Sequence, residues 1–116
     1  MPKIEMAESK MKQQGWKFIA SVAGLNTVNF SDLIEQGYTE AWVYSLTVGW
    51  LTLAGPTVPL GALGENGLTI TWGGHYGGVN GGMMGVGLTS NEMTGRYCRG
   101  DSADKSSTTT FYLYAR

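Results

Sequence analysis

Residues Ser106 to Arg116 read S-S-T-T-T-F-Y-L-Y-A-R. The stretch has neither Gly nor Pro and is rich in β-branched and aromatic residues, which is strand chemistry. Thr108, Thr110, Tyr112 and Tyr114 alternate with Thr109, Phe111, Leu113 and Ala115, so both faces carry bulk. Such a strand fits between neighbours, or against a second subunit, better than on a wet edge. The final residues are therefore expected to be tied into a sheet.

Composition points the same way. The 116 residues suit one domain able to bury a real core. They include 18 Gly, more than twice average usage, and only 15% charged residues. With 4 Trp, 6 Tyr and 3 Phe there is ample surface to bury, so disorder is excluded and an all-β fold with many turns is expected. A net charge of -1 argues against nucleic acid as a partner, since phosphate binding needs a concentrated basic face. Cys98 stands alone, which excludes an internal disulfide and a cysteine-based zinc site. No apolar run reaches membrane-spanning length, and the start lacks the apolar core of a secretory signal.

Along the chain, Ile4, Ala7 and Met11 recur at helical spacing between lysines and glutamates, and Gly15 ends the pattern. Residues 1–15 thus read as a helical or linker segment, either a plain lead-in or an oligomerising stalk. Residues 16–116 read as one β-domain. Trp16, Phe18, Ala20 and Val22 share one side of a first strand, which Gly24 and Asn26 connect to Thr27–Phe30 in a candidate hairpin. Ser31-Asp32 cap one helical turn that stops at Gly37. Tyr38–Leu53 is strand-like, with a bulge or hairpin near Thr47–Gly49. Glu65-Asn66-Gly67 favours a tight hairpin. Leu68–Trp72 is a strong strand, Gly73–Gly82 holds no regular structure unless something covers it, and Met83–Thr89 regains strand character with Gly85 and Gly87 on one flat face. Asn91–Cys98 adds a further strand. About seven to nine strands with short connections describe an antiparallel, jelly-roll-like β-sandwich.

Chemistry is sparse. His75, the only histidine, has no neighbouring Cys, Asp or Glu with which to hold a metal or activate a nucleophile. The Gly73–Gly82 run lacks the Gly-Lys-Ser/Thr ending of a phosphate loop and precedes a strand, not a helix. What remains is a loop exposing Trp72, His75, Tyr76 and Asn80 together, aromatic rings and an amide of the kind that grips a pyranose. The opposing reading puts Trp72 in the core. Glu35, Glu40, Glu65, Glu92, Asp101 and Asp104 fall mostly in turns, with no paired carboxylates for glycoside hydrolysis evident. Arg99-Gly100-Asp101 reads as a solvated turn, and Cys98 as a small buried residue.

Three stretches carry a resemblance: G-W-K-F-I-A-S-V-A-G at Gly15–Gly24, Y-T-E-A-W-V at Tyr38–Val43 and T-F-Y-L-Y-A-R at Thr110–Arg116. Together they resemble the C-terminal β-domains of tail-fibre and baseplate receptor-binding proteins of phages and prophages. The resemblance implies a homotrimer in a virion tail, made without a signal peptide. Its partners would be other tail proteins and a host cell-surface carbohydrate; the residues themselves, with no catalytic signature and one His and one Cys, suggest no cofactor, metal or catalytic residue. Few charges and many rings favour oligomerisation independently. Two further readings are a purely structural tip or capping module, with the Gly-rich strand at the threefold axis, and a small carbohydrate-active enzyme.

Overall fold

The computed structural model describes residues 14–76, 79–101 and 103–116, the side chains of 74–76 and 79–81 excepted. Among the described residues nine strands follow one another: β1 (Lys17–Ala23), β2 (Thr27–Asn29), β3 (Glu40–Thr47), β4 (Thr52–Pro59), β5 (Leu68–Tyr76), β6 (Val79–Leu88), β7 (Glu92–Gly100), β8 (Ala103–Asp104) and β9 (Thr109–Ala115). Among the described residues the only helical element is a short 3-10 turn at Leu60–Ala62. The helical segment expected at the start lies, through residue 13, outside the described residues.

Every pairing is antiparallel. One sheet has the order β1-β9-β3-β4, and the other has β2-β7-β6-β5 with β8 also paired to β7. The two pack as the expected β-sandwich. β9 lies between β1 and β3, as its two bulky faces require. Thr109, Phe111, Leu113 and Ala115 turn inward and are all buried. Opposite them across β3 stand Thr47, Ser45, Val43 and Ala41. The inward threonine hydroxyls of β3 and β9 are satisfied: Thr47 Oγ1 and Thr109 Oγ1 share a hydrogen bond of 2.8 Å, and Thr109 also donates to the Lys105 carbonyl.

The second sheet supplies Ile70, Met84, Val86, Leu88, Met93 and Cys98 to the same core. Leu33 closes one end and is fully buried. It is delivered by the turn read in the sequence: the Asp32 carboxylate accepts from the backbone N–H of Ile34 and Glu35, Gln36 N–H bonds back to the Asp32 carbonyl, and Gly37 exits at φ +90°.

Two expectations are corrected. β1 and β2 do not form a hairpin, because they belong to different sheets. Gly24, at φ +55°, donates its N–H to the Thr109 carbonyl while the Asn26 carbonyl accepts from Gly95 N–H, so the corner is tied to one strand of each sheet. The Gly64–Gly67 turn likewise carries the chain between sheets and joins no paired strands. The Gly-rich run is ordered ladder on both sides of residues 77 and 78, with pairs running from Gly73↔Met83 to Tyr76↔Val79. Trp50, from the β3–β4 turn, covers part of it. Its ring lies where a side chain on Gly82 or Gly100 would go.

Candidate functional site

The rings that the core does not use gather on the outer face of the first sheet. Trp42, Tyr44, Tyr112 and Tyr114 point away from the core by strand alternation. Trp16 and Phe18 join them because of a bulge. Phe18 pairs with Tyr114 but Ala20 pairs with Leu113, leaving Ile19 as the extra residue and reversing the face before it. The sequence reading that placed Trp16 and Phe18 with Ala20 and Val22 is corrected on this point. The rings are interlocked. Tyr44 stacks on Tyr112 at 5.0 Å, Trp42 lies 5.0 Å from Tyr44, and Phe18 meets Tyr114 edge-on at 5.6 Å.

Tyr44, Tyr114 and Trp16 are buried in this cluster, Trp42 and Tyr112 are partly exposed, and Phe18 is 50% exposed. Trp42 Nε1 donates to the Gly55 carbonyl at 2.8 Å, which fixes its indole. Arg116 closes the rim. Its guanidinium lies 4.3 Å from the centre of the Trp16 ring, pairs with Glu40 and donates to the Gln14 carbonyl. Gln14, Trp16, Trp42 and Thr57 line a shallow cleft beside it.

The outer face of the second sheet exposes Met83 and Tyr97 at one side and a polar stretch at the other. A groove of about 380 Å³ runs over it, lined among others by Asn66, Thr69, Gly87, Glu92, Thr94 and Arg96. The flat face read at Gly85 and Gly87 is present but shared. The Tyr97 ring lies over Gly85 and the Arg96 guanidinium over Gly87.

Of the four residues singled out for sugar binding, Trp72 faces inward. Its ring packs edge-on against Phe111 at 5.8 Å, and its indole N–H has no acceptor among the described residues. It serves the core, as the opposing reading had it. His75, Tyr76 and Asn80 lie on the β5 and β6 backbone, and their side chains are outside the described residues.

Electrostatics separate few groups. Asp32 is held below the ordinary carboxylate range by the Glu35 backbone N–H and then by the Ser90 hydroxyl, which donates at 2.7 Å. Asp104 is lowered chiefly by the Ser106 backbone N–H. Both shifts run opposite to what a glycosidase acid needs. Burial, with the Asp104 charge nearby, pushes the Cys98 thiol up to about 11, so it is a protonated and inert thiol at neutral pH. Among the described residues no group of three His, Cys, Asp or Glu side chains is placed to hold a metal.

Sequence reasoning missed the groove because Arg96 and Thr94 carry no motif. Gly87 was the one visible signal. No family model, curated protein or solved structure matches the chain.

Proposed function

We propose that this chain is a non-enzymatic attachment module of a phage- or prophage-type tail, working as a homo-oligomer, expected to be a trimer, that holds a host-surface glycan. The observation that carries the reading is the contrast between the two outer faces. One bears six aromatic side chains and the other a polar groove. The ring area still open to water there, Phe18 above all, contributes nothing in a lone sandwich, whereas copies of the chain that cover one another at that face gain the area they bury. The chain enters the domain at Gln14, on the rim of the aromatic face. The opposite sheet then remains turned outward to the ligand.

Light scattering of the full chain over a wide concentration range tests this. The expected mass is that of three chains, and Phe18→Glu combined with Tyr112→Glu should give a folded species of lower mass. A single-copy mass at every concentration would remove the proposal.

A further inference from the structure

Resting on that reading, we propose that the groove over Gly87 is a carbohydrate subsite that takes one uncharged hexopyranose unit of a surface polysaccharide. Its floor is strand backbone with the Arg96 guanidinium laid over Gly87. Thr69, Gly87 and Thr94 are in register across β5, β6 and β7. With neighbouring strands about 4.8 Å apart, the two threonines stand about 10 Å from each other, and the missing side chain of Gly87 leaves a slot between them. The Thr94 hydroxyl is held by a 2.8 Å hydrogen bond with that of Thr27.

Arg96 is aimed into the slot by a second bulge. Gly85 pairs with Tyr97 but Val86 pairs with Gly95, so Arg96 is the extra residue. Its guanidinium lies along β6, with Nε 2.9 Å and Nη2 3.3 Å from where a Cβ on Gly87 would be.

Arg96 and Glu92 line one groove without pairing with each other, and neither side chain makes a hydrogen bond or ion pair with any other residue described. A guanidinium with five donors and a carboxylate with two acceptor oxygens thus remain open to a ligand. That set suits a sugar, whose hydroxyls both donate and accept, with Asn66 and the threonines supplying further partners. The two charges cancel within the groove. An anionic ligand would gain from Arg96 and lose against Glu92, so neither a phosphate nor a uronic acid is favoured over an uncharged ring. The volume lies in the roughly 300 to 1,000 Å³ range of small-molecule sites.

The test is a glycan array carrying neutral hexose, uronic acid and sialylated oligosaccharides, probed with the full chain, followed by titration calorimetry on the best neutral hit with inorganic phosphate as control. Gly87→Val is the first variant. The three atoms nearest the new Cβ all belong to the movable end of Arg96, and a β-branched residue suits a strand. Arg96→Met is the second, in case the first does not fold. Each is expected to weaken the neutral glycan at least about tenfold, or about 1.4 kcal/mol, with the circular dichroism spectrum unchanged. Binding of acidic glycans or phosphate alone would overturn the proposal. So would neutral binding that survives both variants, or that is lost only in Trp42→Ala; in those cases attachment itself would still stand. Absence of any glycan binding would sink both readings.

Discussion

Replacing Phe111 by alanine strikes the contact on which the two sheets close. The side chain is fully buried in the middle of β9, and its ring meets Trp72 of the opposite sheet edge-on at 5.8 Å. A buried phenylalanine removes roughly 150 Å² from water, worth close to 4 kcal/mol at about 25 cal/mol per Å², and an aromatic pair adds about 0.5 to 1.5 kcal/mol. Partial collapse of the cavity trims that sum, so the expected loss is about 4 kcal/mol, within the range seen for such truncations. A domain of this size has about 6 to 17 kcal/mol to lose, so the variant should still fold. Urea denaturation followed by tryptophan fluorescence reads the change. With a slope near 2 kcal/mol/M the midpoint should fall by about 2 M, and Phe111→Leu should cost only about 1 kcal/mol. A cycle with Trp72→Leu should return a coupling of about 1 kcal/mol. A loss below about 1 kcal/mol for alanine, or no coupling, would refute the placement of Phe111 on the inner face of β9 against Trp72 of the opposite sheet.

Gly95→Ala should be the most damaging small substitution. The added carbon would overlap the Gly24 carbonyl, and backbone cannot swing away as a side-chain tip does. A loss of about 3 kcal/mol is expected, against less than about 0.5 kcal/mol for Gly61→Ala, which meets nothing within 4 Å; equal midpoints for the two would contradict the corner. Cys98 makes stability depend on alkaline pH. With its folded value raised to about 11 from 9.0, the folded state binds the extra proton between those limits. Stability is therefore whole below about pH 9 and falls by about 2 to 3 kcal/mol by pH 11. Between about pH 9 and pH 11 the denaturation midpoint should fall more steeply in the native chain than in Cys98→Ala, and an aromatic disulfide reagent should label Cys98 no faster than the protein unfolds. Rapid labelling at neutral pH would contradict its burial.

Much of the architecture was already legible along the chain. The alternation at Thr109–Ala115 assigns both faces of β9 correctly because strand side chains alternate strictly unless a bulge intervenes. Asp32 and Gly37 announce their turn through cap chemistry that acts within five residues. The misplaced residues, Trp16 and Phe18, lie before an unmarked bulge at Ile19. Which strands share a sheet was equally hidden. Gly24 and Asn26 signal a turn, but only their bonds to β9 and β7 decide that it is a corner between sheets.

The candidate site divides in the same way. Local chemistry by itself determined that this is a β-domain with rings to spare and a glycine face on β6, since periodicity and side-chain type act over a few residues. Tertiary structure alone decided that Trp72 belongs to the core, that six aromatic side chains meet on one outer face, and that Arg96 crosses Gly87. Those placements depend on cross-strand register and on bulges, which are set by partners far away in sequence and leave no mark on the residues that they turn.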